Sequence, residues 1–284
     1  MSASNTFVSQ IDNLSSSLSR SKFERLGKVT RVVGMTIEAS GISAEIGAQT
    51  IIEIDGQDRK VEAEVIGFDE KKVFLMPIHF LDGIKAGNVV RVKESESTCS
   101  VGKDLLGRVI NGSGEPIDGK GIIAYEHEIP LDTHATNPME RGAITDILDT
   151  GIKAINGCFA FGKGQRMGLI AGSGVGKSVL LGMLTRNTDA DVVVIGLIGE
   201  RGREVQEFVK NTLGEKGLEK AVVIAAPVDV SPVMRVKAAK LTHSIAEYFS
   251  NEGKNVLLLF DSLTRVAHAQ REIGLAVGEP PTTK

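Results

Sequence analysis

Short β-rich runs, separated by glycine or Asp-Gly, follow one another between residues 27 and 92. The runs are KVTRVV, MTIEA, TIIEI, KVEAEVIGF, KKVFLMPI and NVVRV. Several short strands with turn residues at this spacing predict a small closed β-barrel. Closure leaves no exposed strand edge, which suits a small domain.

From residue 166 onward, continuous apolar runs alternate with amphipathic segments. Strands are predicted for the apolar runs RMGLIA, DVVVIGLI, KAVVIAA and NVLLLF. Helices are predicted over 177–187, near 203–213 and near 232–250. On the last of these helices Leu241, Ile245 and Tyr248 share one face. Uninterrupted apolar strands that alternate with helices predict an α/β fold, with a parallel sheet covered by helices on both faces.

The first 24 residues are polar and rich in serine. Their few apolar residues recur at spacings of three and four, as on one face of a helix: Phe7, Ile11, Leu14 and Leu18. A weakly ordered tail and a helix that orders on a partner or a membrane surface both fit, because short isolated helices are marginal in water. The polar stretch KESESTCS at 93–100 is interpreted as a linker. We therefore predict an N-terminal segment over 1–24, a barrel domain over 25–93 and an α/β domain over 94–284.

Composition narrows the classes of function. The chain has 284 residues, of which 42% are hydrophobic and 24% charged, as expected for a globular protein of about two domains. Its net charge of -3 gives no electrostatic footprint for nucleic acid or an anionic membrane. Cys99 and Cys158 form no metal-ligand pattern, so we expect a reduced, cytosolic protein without structural zinc. No apolar run approaches the roughly 20 residues that span a bilayer, and the N-terminus has no secretory-signal pattern.

A glycine-rich segment joins the run RMGLIA to the first predicted helix. It reads AGSGVGKS and differs from the strict P-loop pattern only by alanine in place of the first glycine. Its glycines let the backbone N–H groups turn inward, and with the helix N-terminus they form an anion cradle. Lys177 can reach the β- and γ-phosphates and Ser178 can bind Mg²⁺, although a plain glycine-rich turn is the alternative. The predicted nucleotide-binding residues are Gly172, Ser173, Gly174, Val175, Gly176, Lys177, Ser178 and Val179.

Two acidic residues follow later apolar strands. Asp261 ends NVLLLFD, where a P-loop enzyme carries the carboxylate that holds magnesium through water; a turn or helix-cap aspartate is the alternative. Glu200 lies just beyond the strand at 192–198, at the edge of a parallel sheet where ligands bind. It is a candidate for activating water, with Arg201 and Arg203 near the phosphate charge. A charged surface loop would look similar.

Several stretches together resemble one family. They are LDTGIKAINGCFAFGKGQRMGLIAGSGVGKSVLLGML, IGERGREV, SPVMR and LLLFDSLTRVAHAQREIGLAVGEPP. Over roughly residues 25–284 the chain resembles the flagellar and type III secretion export ATPases, relatives of the catalytic subunit of rotary ATP synthases. The resemblance implies a RecA-like P-loop NTPase whose Mg²⁺-dependent ATP hydrolysis energises protein export. The flagellar system is the first choice within the group, and the virulence-type paralogue is the alternative.

The resemblance also implies a role for each matching residue. The implied catalytic set is Glu200 as the carboxylate that activates water, Lys177 at the phosphates and Arg201 near the γ-phosphate. The residues implied to hold magnesium are Ser178 and Asp261, the strand-end acid. Glu204 is implied as a carboxylate that supports them without binding the metal directly.

The family further implies a homo-hexamer with nucleotide at the subunit interfaces, in the cytoplasm and peripheral to the inner face of the membrane. Its implied partners are a regulator at the N-terminal segment, export substrates and chaperones, and export-gate membrane proteins; nucleic acid is not expected. The family continues beyond EPPTTK with more sheet, an adenine-stacking aromatic, an arginine finger and a helical domain. We therefore expect a truncated chain that hydrolyses ATP feebly and is monomeric or weakly oligomeric.

Three alternatives stay open. An RNA-translocating hexamer shares GKGQR and an N-terminal barrel, but the barrel here offers only Phe68, Phe74 and Phe80 for base stacking, within mixed charge. A catalytic-type subunit of a rotary synthase or vacuolar-type pump would have the same fold. A nucleotide-binding module that never hydrolyses ATP tends to lack an acid at the position of Glu200, which this chain keeps.

Overall fold

The computed structural model describes residues 25–54, 59–79, 83–93, 97–131, 137–172 and 174–281. The predicted helical face within 1–24 lies outside these residues, as do Phe80 and Ser173. Among the helices in the described ranges, none combines the length and apolar character that a membrane crossing needs.

A closed barrel of six strands forms the first region, as the β-rich runs predicted. Its strands are β1 (Gly27–Val33), β2 (Thr36–Ser40), β3 (Gln49–Glu53), β4 (Lys60–Asp69), β5 (Lys72–Pro77) and β6 (Val89–Val92). They pair in the order β1-β2-β5-β4-β3-β6, and the pairing of β1 with β6 closes the ring. Alternate side chains point inward because the side-chain period of a strand is two residues. Ile37, Ile52 and Leu75 are fully buried in the barrel core.

A four-stranded parallel sheet forms the second region. Its strands, in spatial order, are β14 (Val256–Asp261), β12 (Val192–Ile198), β13 (Ala221–Ala226) and β8 (Val109–Ile110). Every residue of β12 and β13 is buried. Continuous burial explains the continuous apolar runs, since both faces of a parallel sheet are covered. The predicted strands DVVVIGLI, KAVVIAA and NVLLLF are confirmed.

Helices cover both faces of this sheet. They are α1 (Lys153–Cys158), α2 (Lys177–Asn187), α3 (Gly202–Glu207), α4 (Gly214–Glu219), α5 (Pro232–Asn251) and α6 (Leu263–Ala276), with a π-helical segment, Phe208–Leu213, between α3 and α4. On one face α5 packs through Leu241, Ile245 and Tyr248, the face that their spacing predicted. On the other face Leu181 of α2 and Phe208 pack against the strands. The α/β architecture is confirmed.

The polar stretch at 93–100 is only partly a linker. Its last residues begin β7 (Thr98–Val101), which pairs antiparallel with β9 (His127–Pro130). Cys99 and Val101 are buried in the core beneath α5 and anchor this strand despite its polar surroundings. The remaining short elements are β10 (Ile147–Leu148), β11 (Phe161–Gly162) and 3-10 helices at Lys103–Leu105 and Pro138–Glu140. The domain boundary at 93/94 stays a prediction.

The predicted strand RMGLIA at 166–171 is wrong. These residues have no regular secondary structure and pair with no strand in the described part of the chain. Met167, Leu169 and Ile170 are exposed, and Ile170 reaches 99%. A strand needs hydrogen-bonding partners for its backbone as well as an apolar sequence. An apolar run by itself therefore does not decide whether a strand forms.

The barrel rests on the two helices that precede and follow β14 in the sequence. Ile66 and Met76 on its outer face pack with Val233 of α5, and Val277 at the end of α6 joins this cluster. The Ser231 hydroxyl at the start of α5 donates to a barrel carbonyl at 2.9 Å. The barrel therefore contacts the same α5 and α6 that adjoin the sheet.

Candidate nucleotide-binding site

The glycine-rich loop leads directly into α2, which begins at Lys177 as predicted. Gly174 and Gly176 have φ angles of 77° and 95°, in the left-handed region that favours glycine. Within this loop, the amides of Gly172, Gly174, Val175 and Gly176 find no hydrogen-bond acceptor among the described residues. Exposed backbone donors at the start of a helix attract anions, because the helix dipole adds partial positive charge there.

The remaining predicted phosphate-binding positions lie in the first turn of α2. Ser178 is exposed there, and Val179 is 57% exposed. The first amides of a helix have no intrahelical acceptor. These positions therefore extend the row of donors that the loop begins.

Lys177 contacts Asp261 directly. The lysine Nζ donates to Oδ1 of the carboxylate over 2.5 Å. Asp261 ends β14 and is 4% exposed, whereas the Lys177 side chain keeps 30% of its surface exposed. A buried carboxylate is stable only with a partner of this kind. The fold thus joins the loop lysine and the strand-end acid, which are 84 residues apart in the sequence.

Glu200 lies two residues beyond the end of β12, and the backbone around it is fixed by hydrogen bonds. Gly199 turns the chain with a φ of 74°, and its amide donates to the Ala226 carbonyl at 2.7 Å. The Glu200 carbonyl accepts from the Val228 amide at 3.0 Å. These bonds hold Glu200 at the carboxyl end of β13, beside its own strand.

The surroundings of Glu200 favour its protonated form. Burial is the largest effect that raises its pKa, followed by a hydrogen bond with Glu204 and the charge of Asp261. The charge of Lys177 acts in the opposite direction. A carboxylate with a raised pKa is a better general base, because its proton affinity lies closer to that required near neutral pH.

Arg201 and Glu204 lie at the exposed border of this cluster. Arg201 Nη1 is 3.1 Å from Glu204 Oε1, and the two side chains are 81% and 47% exposed. Exposed ion pairs contribute little to stability. Both side chains can therefore turn toward a ligand at modest cost.

The oxygen atoms at the site suit magnesium. The candidate ligands are the Asp261 and Glu204 carboxylates and the Ser178 hydroxyl. Across the described ranges, no three or more His, Cys, Asp or Glu side chains converge into a complete metal site. Mg²⁺ fits this partial set, because it uses one or two protein carboxylates and completes its shell with water or phosphate oxygens.

The sequence reasoning missed Arg265 near this cluster. Arg265 lies in the first turn of α6, and its Cβ would be 2.6 Å from a Cβ added to Gly199. This contact places the aliphatic stem of an arginine beside the turn that carries Glu200. The available signal was an arginine four residues after the strand-end acid, inside the quoted DSLTR stretch.

Comparison with protein families assigns both the barrel and the parallel-sheet region. The model for the nucleotide-binding domain of the ATP synthase alpha/beta family matches residues 151–284. The model for the β-barrel domain of the same family matches residues 29–92. The chain belongs to the ATP synthase alpha/beta family. The barrel and the sheet thus correspond to two domains of the ATP synthase alpha/beta family, and the predicted relationship to rotary ATP synthases is confirmed.

Among members of the ATP synthase alpha/beta family, the chain is similar to proteins named flagellum-specific ATP synthase. The relative from Pseudomonas aeruginosa is 52% identical over 260 residues, which cover 91% of this chain and 58% of that protein. The relative from Salmonella typhimurium is 50% identical over 269 residues, or 92% of this chain and 59% of that protein. A type 3 secretion system ATPase from Xanthomonas euvesicatoria is 45% identical over 262 residues, with coverages of 92% and 59%. The chain spans less than two thirds of the length of these curated relatives.

A solved structure shows the same fold. The assembled ATPase EscN from the enteropathogenic E. coli type III secretion system matches with a TM-score of 0.82 and 41% identity, covering 91% of this chain and 62% of that one. EscN in complex with its central stalk EscO matches with the same TM-score. The predicted fold class is therefore supported by sequence and structure together.

Proposed function

We propose that this chain provides the part of a flagellar protein-export ATPase that binds and hydrolyses ATP. The observation that carries the proposal is a row of loop amides with no acceptor among the described residues, which leads into Lys177 and its contact with the buried Asp261. Glu200, whose pKa Asp261 and Lys177 both perturb, completes the cluster. Donors and a cation beside two carboxylates suit a polyphosphate bound with a divalent metal. The names of the similar flagellar proteins support the same function.

The loop and the start of α2 bind the phosphates. Lys177 supplies the positive charge at the β- and γ-phosphates. The backbone donors around it come from Gly172, Ser173, Gly174, Val175, Gly176, Ser178 and Val179. Val175 and Val179 act through their amides, since their exposed side chains offer no polar atom.

Magnesium is the proposed cofactor. Ser178 would hold it through its hydroxyl and Asp261 through water, with Glu204 behind them. Bound there, the metal would neutralise phosphate charge and orient the polyphosphate.

Glu200 is the proposed general base. It accepts a proton from water as the water oxygen bonds to the γ-phosphorus and the bond to the bridging oxygen breaks, which yields ADP and phosphate. Lys177 holds the phosphates during this step. Arg201 and Arg265 supply positive charge at the same edge of the sheet, where negative charge develops on the phosphate oxygens.

We infer that the chain acts within a ring at the cytoplasmic side of the membrane. Support comes from EscN, which is described as an assembled ATPase and as a complex with a central stalk. The proposed assembly is a homo-hexamer, with a regulator on segment 1–24. Export substrates, chaperones and export-gate proteins are the further proposed partners.

A virulence-type secretion ATPase is the second candidate. The observation that favours it is 45% identity to a type 3 secretion system ATPase. The flagellar assignment is preferred because the flagellum-specific relatives reach 52% and 50%. Complementation of a strain that lacks its flagellar export ATPase, by a form of the protein that turns over and scored by swimming motility, separates the two systems.

Calorimetric titration with ATP, with and without Mg²⁺, tests the nucleotide site. The wild-type chain should bind ATP, and Lys177→Ala should weaken binding by about tenfold or more, because a charge-assisted contact to phosphate is lost. Lys163→Ala removes the same charge from a half-buried position in the turn that follows β11 and serves as the control. Equal ATP affinities for wild type and Lys177→Ala would refute the proposed phosphate site.

Phosphate release tests the catalytic assignment. In a form of the protein that turns over, Glu200→Gln should reduce the rate by about 100-fold or more while ATP binding persists, because the general base is lost. Unchanged turnover in this variant would instead favour a base other than Glu200.

A further inference from the structure

The ion pair between Lys177 and Asp261 occupies two charges that a magnesium–nucleotide complex needs. The ammonium that would bind phosphate is held by the carboxylate that would hold the metal, at 2.5 Å. We propose that this pair is a latch that makes nucleotide binding depend on the metal: Lys177 leaves Asp261 for the phosphates only when a divalent cation takes its place beside the carboxylate. This inference rests on the nucleotide-binding function proposed above.

The two partners differ in their freedom to move. Asp261 is 4% exposed at the end of a strand, so its carboxylate has little access to water. The Lys177 side chain is 30% exposed and has a flexible four-carbon stem. Opening the latch is therefore a movement of the lysine, which leaves the carboxylate buried and in need of another cation.

The charges around the pair oppose opening without a metal. Asp261 acts on Glu200 as a repulsive neighbour, and Lys177 acts on it as an attractive one. Within the described part of the chain, Lys177 is the only cation in an ion pair with Asp261. Metal-free nucleotide would draw this cation away and add negative phosphates beside two carboxylates. A divalent cation supplies the positive charge that removes this conflict.

A simple ligand role for Asp261 makes a different prediction from the latch. Without a latch, Asp261 would affect metal-free binding only by repelling the phosphates, so Asp261→Asn would strengthen that binding equally with lysine or methionine at position 177. As a latch, Asp261 competes with phosphate for Lys177, so Asp261→Asn would strengthen metal-free binding much more when Lys177 is present than in the Lys177→Met background. The affinities measured in a chelator in both backgrounds therefore separate the two roles.

The test is titration with a non-hydrolysable ATP analogue in Mg²⁺ and in EDTA. The wild-type chain should bind the analogue more weakly in EDTA. Asp261→Asn, which keeps the shape and removes the charge, should bind it about tenfold or more tightly than wild type in EDTA, because the charge-assisted contact that restrains Lys177 is gone. Glu207→Gln, an exposed position on α3, changes the net charge equally and should leave both affinities unchanged.

A second variant tests the latch from the lysine side. Lys177→Met removes the ammonium but keeps most of the unbranched stem, which leaves Asp261 without its cation. Mn²⁺ alone, titrated without nucleotide and followed by electron paramagnetic resonance, should bind this variant about tenfold more tightly than wild type. This measurement decides the question if near-ultraviolet circular dichroism shows that Asp261→Asn is not folded.

The possible outcomes test the latch separately from the proposed nucleotide-binding function. Metal-free affinity that is unchanged or weaker in folded Asp261→Asn overturns the latch and leaves Asp261 as a ligand only, as does a gain in affinity that is equally large in the Lys177→Met background. Unchanged Mn²⁺ affinity in Lys177→Met overturns it as well. If the wild-type chain binds the analogue in neither buffer, the proposed nucleotide-binding function itself fails.

Discussion

Two loops of this chain are both rich in glycine, but they differ in whether side chains of the loop accept hydrogen bonds from its backbone amides. In the loop NGSGEPIDGKG at 111–121, the Asn111 side chain accepts from two loop amides at 2.9 and 3.0 Å. Asp118 accepts from two further amides, each at 3.0 Å, and from the Arg108 guanidinium at 2.8 Å. In the loop at 171–176, the described amides have no acceptor in the described chain. The first loop satisfies part of its own backbone through Asn111 and Asp118, whereas the described amides of the second loop remain available.

The difference lies in the side chains between the glycines. Asn and Asp accept hydrogen bonds from nearby amides and so close a loop on itself. The loop AGSGVG has no such residue, and serine is its only polar side chain. Glycine content alone therefore does not indicate a ligand site. A stronger indication is a loop whose described amides find no acceptor in the described chain and which leads into a helix that begins with lysine.

Among these variants, removal of the Asp118 carboxylate should lower the free energy of unfolding most. The Arg108 and Asp118 side chains are 11% and 6% exposed, so Asp118→Ala leaves a buried guanidinium without its partner. The free energy of unfolding should fall by about 3 kcal/mol in urea denaturation, with nucleotide affinity unchanged. Lys93→Ala, which breaks an exposed pair with Glu62, is the control and should cost less than about 1 kcal/mol. Equal losses in the two variants would show that burial does not set the strength of the pair.

The stabilisation from Asp118 should depend on pH. The hydrogen bond from Arg108, aided by two backbone amides, holds the pKa of Asp118 well below its usual range. Because the folded pKa is depressed, the stabilisation is complete above the unfolded aspartate pKa of about 3.9 and is lost as the pH falls below it. The difference in Tm between wild type and Asp118→Asn should therefore narrow from pH 6 to pH 3. A constant Tm difference over this pH range would show that the stabilisation does not come from the ionised carboxylate of Asp118.

Gly176→Ala and Gly114→Ala form a matched pair across the two loops. The φ angles are 95° and 87°, and no atom lies within 4 Å of a Cβ added at either position. Each alanine should therefore cost about 1–2 kcal/mol of stability through left-handed backbone strain. Only Gly176→Ala should also weaken ATP binding, by about tenfold, because it changes the donors that face the phosphates. Calorimetry that shows equal ATP affinities for the two variants would contradict the contrast between the loops.

Tyr125→Phe should lower the free energy of unfolding least. The Tyr125 hydroxyl donates to the Gly114 carbonyl at 2.6 Å and adds one more closure to the loop at 111–121. Its loss should lower the free energy of unfolding by about 1 kcal/mol, since one hydrogen bond is removed at a partly exposed position. ATP affinity should not change. A change in ATP affinity would mean that this loop also contributes to the nucleotide site.

Much of the fold followed from local patterns. The strands of the barrel and the strands β12, β13 and β14 appeared as β-rich or apolar runs, and α2 and α5 appeared through their helical spacing. Three features did not follow. The run at 166–171 is apolar yet unpaired, the polar stretch at 93–100 contains the start of β7, and Arg265 had no signal strong enough to select it. Each depends on a distant partner that a local pattern does not contain.

The sequence by itself determined which segments can be strands or helices, and which of them carry the phosphate-binding lysine and the acids Glu200 and Asp261. Those properties follow from side-chain periodicity and from the chemistry of single residues. Only the tertiary structure decided that Lys177 and Asp261 pair across 84 residues and that Glu200 is partly buried beside them. These contacts join residues that are distant in the sequence. The free energy of burying a polar group depends on whether such a contact gives it a partner.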